Sequence, residues 1–122
     1  MDKELIIAKK YIVTDQNIDD LMITALEGGI NYWCEKVVIN QPEKFAGKFA
    51  SDIISLEGSL TLFDSEMDTS YILTKDKFMK GLEMILGEQQ FEGDFEEFMD
   101  DHDADTADII IQYALFGEQV YC

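Results

Sequence analysis

Arginine is absent from this 122-residue chain. The guanidinium fork is the usual group for gripping phosphate, so its omission, together with a formal net charge of -17, argues against direct binding of nucleic acid and for attraction to basic surfaces. Cysteine is scarce, with only Cys34 and Cys122. A domain of this size holds together without a bridge, and the two residues are far apart, so reduced thiols of a cytosol are expected. Histidine occurs once, at His102, and a zinc site needs closely spaced Cys and His ligands that three such scattered residues do not supply. No glycine-rich phosphate loop occurs either, because Gly28-Gly29 reads as the end of a helix rather than the start of one. No cofactor and no metal are therefore expected. Long apolar runs are missing, which excludes a membrane-spanning helix. Met1-Asp2-Lys3-Glu4 leads into a short apolar stretch without the pattern of a signal peptide, and a cytoplasmic protein is expected. With one proline, no internal repeat and no linker rich in Pro, Gly or Ser, residues 1–122 read as a single globular domain.

Apolar residues and acids fill what remains. Hydrophobic residues make up 47% of the chain and include eight Phe, five Tyr and one Trp, enough to bury a core and to argue against disorder despite the charge. The charge is uneven. Residues 1–80 hold fourteen acids and nine lysines, whereas residues 81–122 hold twelve acids and no base.

Residues 5–13, a run of β-branched and aromatic types, predict a strand. Ile18, Leu21, Met22, Ala25 and Leu26 then fall on one helical face, with Asn17 as N-cap and Gly28-Gly29 as the stop. Residues 31–40 predict a second strand, ended by Gln41-Pro42. A helix over about 43–56 would bury Phe45, Phe49, Ile53 and Ile54. Leu60 and Leu62, with Tyr71-Ile72-Leu73, flank a polar stretch and read as a hairpin. Thr74 suits the N-cap of a helix over about 75–87, burying Phe78, Leu82, Ile85 and Leu86. A last helix is expected from Asp105 or Thr106 to Tyr113 or Leu115, stopped by Gly117, after which Gln119-Val120-Tyr121 would close the sheet as an edge strand. This irregular alternation predicts an α+β domain with a mostly antiparallel sheet and three to five helices, ahead of a parallel α/β sheet.

The blocks Ala25-Leu26-Glu27-Gly28-Gly29-Ile30-Asn31-Tyr32-Trp33-Cys34 and Gln112-Tyr113-Ala114-Leu115-Phe116-Gly117-Glu118 resemble a group of small acidic proteins encoded by anaerobic Gram-positive bacteria and their phages or mobile elements. The resemblance transfers no catalytic residue. What it implies is context: such proteins include many that block host defences, among them anti-CRISPR and antirestriction proteins that imitate DNA, and the step to that role is one of analogy. For a phage-encoded chain the compartment would be the host cytoplasm.

Residues 88–108 carry ten acids, with Phe91, Phe95, Phe98 and Met99 interleaved at spacings of three and four, which predicts a short helix with an apolar seam and an acidic outer face. Such a face is, in the simplest reading, a solvated surface that keeps the domain in solution. In the sharper reading Glu92, Asp94, Glu96, Glu97, Asp100, Asp101, Asp103, Asp105 and Asp108 form a surface that imitates nucleic acid. A charge of -17 matches roughly 30 Å of duplex at one charge per 1.7 Å. Carboxylates at i and i+4 lie about 5–6 Å apart, comparable with neighbouring phosphates. A calcium loop fits poorly. Starting from Asp101, position 6 is Thr106 rather than glycine and position 12 is Gln112 rather than glutamate, and starting from Asp64 the corresponding residues are Thr69 and Lys75.

Catalytic readings are weak. His102 sits among Asp100, Asp101 and Asp103, which favour its charged form, and a Cys34–His102 nucleophilic pair competes with Cys34 as strand packing. One small-molecule reading survives, in which Asn31, Tyr32, Trp33, Gln112 and Tyr113 line a pocket that stacks on a base or sugar and sequesters a nucleotide signal, against the reading that these aromatics are ordinary sheet packing. The expected function is therefore non-enzymatic: an inhibitor whose acidic surface occupies the cleft of a basic nucleic-acid-binding protein or nuclease complex. A nucleotide sponge and an assembly protein of a mobile element stand as alternatives, and a homo-oligomer is left open.

Overall fold

The computed structural model describes residues 9–66, 68–88 and 93–122. Among the described residues, four α-helices and one three-stranded antiparallel sheet make an α+β fold, as the sequence predicts. Helix α1 (Asp15–Thr24) runs into a single wide turn of π-helix (Ala25–Gly29). Strands β1 (Cys34–Ile39), β2 (Leu60–Asp64) and β3 (Ser70–Leu73) follow in sheet order β1-β2-β3, then helices α2 (Lys75–Glu88), α3 (Phe95–Asp101) and α4 (Ala104–Phe116). No described helix is long and apolar enough to cross a membrane.

The first helix begins three residues earlier than the apolar stripe suggests. Thr14 is its N-cap and Asn17 the reciprocal partner, each side chain taking the other's backbone N–H, at 3.1 and 2.9 Å, so Asn17 completes a capping box instead of opening the helix. Ile18, Leu21, Met22 and Ala25 are buried, and the glycine pair ends the helical run as expected. Gly29 is required by packing, because a Cβ there would stand 2.9 Å from the Ala104 carbonyl oxygen. This close approach seats the start of α4 against the π turn. Gly81 does the same for α2, where a Cβ would fall 2.6 Å from the Ile110 carbonyl oxygen and 2.7 Å from the Ala114 nitrogen.

Three expectations are corrected. Residues 9–13 form no strand, and residues 5–8 lie outside those described. Tyr11 and Val13 pack on the core while Ile12 is 86% exposed, so the segment has the alternation of an extended chain but pairs with no strand among the described residues. The helix expected over 43–56 is replaced by two short 3-10 turns, Pro42–Phe45 and Ala50–Asp52. Gly47, with φ of 81°, breaks the run between them, and Phe49 faces solvent at 77% exposure although Phe45, Ile53 and Ile54 are buried as predicted. Residues 119–121 are not an edge strand. The Val120 and Tyr121 N–H groups are used by a side chain of α4, described below.

The hairpin of β2 and β3 pairs Leu60 with Leu73 and Leu62 with Tyr71, and β1 pairs with β2 through a bulge between Cys34 and Lys36. In α2, Phe78, Leu82, Ile85 and Leu86 are buried as its stripe predicts, and the Thr74 hydroxyl accepts the Lys77 N–H at 3.3 Å.

Candidate functional site: the acidic face of α3

Helix α3 exists because Phe95 and Phe98 are drawn into the core, their rings stacked at 5.5 Å, and because Asp94 caps its N-terminus by accepting the Glu97 N–H at 2.9 Å. Anchoring those two rings forces the intervening acids outward. Asp94, Glu96, Glu97, Asp100, Asp101, Asp103 and Asp105 are all exposed. Two of them also have structural duties, since Asp103 caps α4 as Asp94 caps α3, accepting from the Thr106 N–H and hydroxyl at 2.9 Å each. Those two bonds hold the Asp103 carboxyl below the usual range. Glu96, Glu97, Asp100, Asp101 and Asp105 form no side-chain hydrogen bond and no ion pair among the described residues. Asp100 and Asp101 even sit at the helix C-terminus, where the macrodipole disfavours negative charge and no base compensates.

The C-terminus of α3 is tied to α1 by His102. Its Nδ1 lies 2.5 Å from the Met99 carbonyl oxygen, which can only accept, so Nδ1 carries a proton. Its Nε2 meets the Thr24 hydroxyl at 2.9 Å. A cleft of about 420 Å³ opens there between the helices, bordered by Asp20, Ile23, Glu96, Asp100 and His102.

One residue expected on this face, Asp108, does not belong to it, being only 5% exposed, and another, Glu92, lies outside the described residues. Asp108 is enclosed because α4 presents Ala107, Asp108, Ile111 and Gln112 together toward the π turn and the residues after it. Its Oδ1 accepts from the Trp33 indole N–H at 2.7 Å and from the Gln112 amide at 2.9 Å, and its Oδ2 from the Tyr32 hydroxyl at 2.5 Å. A buried carboxylate is tolerated when donors surround it in this way. Burial first, and then the Asp108 bond, push the Tyr32 phenol up to about 12.

The expected pocket is thus partly assembled and already filled. Tyr32, Trp33 and Gln112 converge, but Tyr121 lies on them, its ring stacked on Trp33 at 4.7 Å with the planes 2° apart. Tyr113 is not part of the group; its hydroxyl donates to Glu88 at 2.8 Å. Asn31 is exposed. Asp108 and Tyr121 were missed as members. Helical spacing alone could have found Asp108, since it shares a face with Ala107, Ile111 and Gln112.

Cys34 and His102 have separate partners: the buried Cys34 thiol, pushed up by desolvation, meets the Lys36 carbonyl at 3.6 Å. Among the described residues no group of His, Cys, Asp and Glu converges to hold a metal ion. Searches with the chain match no protein-family model, no curated protein and no solved structure.

Proposed function

We propose that this protein is a non-enzymatic inhibitor that occupies the cleft of a basic nucleic-acid-binding protein, imitating the phosphate backbone with the outer face of α3. The observation that carries the reading is that Glu96, Glu97, Asp100 and Asp101 all face solvent on one short helix without serving its fold. Four carboxylates over about 10 Å of helix axis compare with about six charges on the same length of duplex. With Asp94, Asp103 and Asp105 at the flanks, the local charge density approaches that of nucleic acid.

Several features of the chain fit such a role. The excess of acid is concentrated after residue 80, and the charge at the C-terminus of α3 is unfavourable for the helix itself, as expected of groups placed for a partner. The partner would be a nuclease or effector subunit whose lysines and arginines bind phosphate. The resemblance to small acidic proteins of mobile elements suggests a defence system as its setting, of the anti-CRISPR or antirestriction kind.

Combined neutralisation, Glu96→Gln, Glu97→Gln, Asp100→Asn and Asp101→Asn, tests the reading. The variant is expected to lose inhibition of the target nuclease while keeping the circular dichroism and urea midpoint of the parent. Retained inhibition by a folded variant would sink it.

A further inference from the structure

The side chain of Gln112 is completely buried, yet both ends of its amide are turned to the last residues of the chain. Its Oε1 accepts the backbone N–H groups of Val120 and Tyr121 at 2.8 Å each, and its Nε2 donates to the Tyr121 carbonyl at 3.1 Å. Above the amide, the Tyr121 ring covers the Trp33 indole face and its hydroxyl meets that of Tyr71 at 3.0 Å. A flat ring thus covers one indole face while backbone groups of Val120 and Tyr121 pair with the adjoining amide, and together they fill the place that a stacked, hydrogen-bonded ligand would take.

The tail is built to lift. It starts at Gly117, left-handed with φ of 73°, and residues 117–120 are exposed. It adds no strand to the sheet, and Gln112 takes both backbone donors. Its hydrogen bonds run to the side chains of Gln112, Tyr32 and Tyr71 and to no strand backbone among the described residues, and segments outside the regular elements open well below the free energy of global unfolding. One opening frees the indole face, the Gln112 Oε1 and the Tyr71 hydroxyl together, and releases the Nε2 hydrogen that Tyr121 shares with the Tyr32 hydroxyl at 3.1 Å.

Behind the slot, Asp108 keeps its partners Tyr32, Trp33 and Gln112 and remains a fixed negative charge, and no lysine contributes to the slot. A phosphate would be repelled. A tail from a second copy would have to overcome the mutual repulsion of two chains of charge -17.

The geometry points to a strap-gated site for an uncharged planar heterocycle that carries a donor beside an acceptor on one edge: a nucleobase of the adenine type, presented as a nucleoside rather than a nucleotide. A glutamine amide pairs with that edge through two hydrogen bonds, and the indole supplies the stack. This site is independent of the acidic face of α3.

Trp33 is the sole tryptophan, so its fluorescence reads the slot directly. Adenosine titrated into the full-length protein is expected to quench it saturably, with AMP and purine riboside, which lacks the exocyclic amine, at least about ten-fold weaker. Tyr121→Ala, which removes the covering ring, is expected to bind adenosine about ten-fold more tightly, because apparent affinity scales with the open fraction. No saturable response to millimolar adenosine in either protein would overturn the proposal. Hydrogen exchange on the parent gives a check that no variant can confound. The Val120 and Tyr121 amides should exchange much faster than those in the middle of α4, and equal protection would refute the gate.

Discussion

Asp108 and the acids of α3 lie within thirteen positions of one another, yet they face opposite environments. Asp108 is buried and accepts from Trp33, Tyr32 and Gln112, whereas Glu96, Glu97, Asp100 and Asp101 are exposed and accept no side-chain hydrogen bond among the described residues. A carboxylate surrounded by donors is part of the core's hydrogen bonding, and its removal leaves those donors short of acceptors. A carboxylate in water is dispensable to the fold and free to meet a partner. Formal charge alone cannot separate the two, and the difference lies in which helical face each residue occupies.

The largest effect is expected from Asp108→Ala. It strips the acceptor from the buried Trp33 indole N–H and leaves Tyr32 and Gln112 to share the Tyr121 carbonyl, and a loss of about 3 kcal/mol is expected in urea unfolding. Asp108→Asn should cost less, since its carbonyl can still serve Trp33. A variant as stable as the parent would break the contrast.

Next comes alkaline pH. The Tyr32 and Tyr121 phenols are both raised from an ordinary value of 10 to about 12, Tyr32 chiefly by burial and Tyr121 chiefly by its bond with Tyr71. Their protonated forms therefore favour the folded state fully below pH 10, and that contribution is lost as pH rises toward 12. Ultraviolet titration of the parent should show two tyrosines ionising near 12, later than Tyr113, which its bond to Glu88 also raises, and stability should fall within that window.

Asp103 sharpens the comparison from the exposed side, because it faces water and still has a fold duty. Asp103→Ala should cost about 1 kcal/mol through loss of the α4 cap. Its lowered folded value means that the contribution of the carboxylate is present above the ordinary 3.8 and fades as pH falls through the lower one. Smallest of all is the effect on stability of neutralising Glu96, Glu97, Asp100 and Asp101. The urea midpoint should stay level or rise slightly, since two of these charges oppose the helix dipole.

The sequence made the helical stripes of α1, α2 and α4 legible because burial at intervals of three and four leaves a direct trace in residue order, and the hairpin was legible from its flanking apolar segments. Other parts depend on tertiary contacts that residue order does not record. Phe45, Phe49, Ile53 and Ile54 fit a helical stripe, yet Gly47 turns left-handed between them and releases Phe49 to solvent. Gln119-Val120-Tyr121 has the composition of a strand, but the nearest acceptor for its N–H groups is Gln112 rather than a sheet edge. On α3 the spacing of Phe95 and Phe98 sorted the acids correctly. On α4 the run of acids places Asp108 on the surface by composition, whereas Ala107 and Ile111 mark its face as buried. The segments 25–34 and 112–118 meet in space, where Trp33 contacts Phe116 and, beside Gln112, Asp108, and they supply most of the clasp that seats residues 120 and 121.

Salt-resolved capture with displacement tests the acidic face most directly. Immobilised parent and the four-site neutralised variant would be exposed to nuclease-treated host lysate, washed at about 50 and about 200 mM salt, and challenged with duplex DNA. If α3 imitates phosphate, the parent retains a nucleic-acid-binding protein that duplex DNA releases. Its affinity then falls about a hundred-fold across that salt range, as expected for about four phosphate-like contacts, and the variant captures none of it. Capture that duplex DNA does not displace, or that survives in the variant, would contradict mimicry and leave the acids of α3 as a solvated surface.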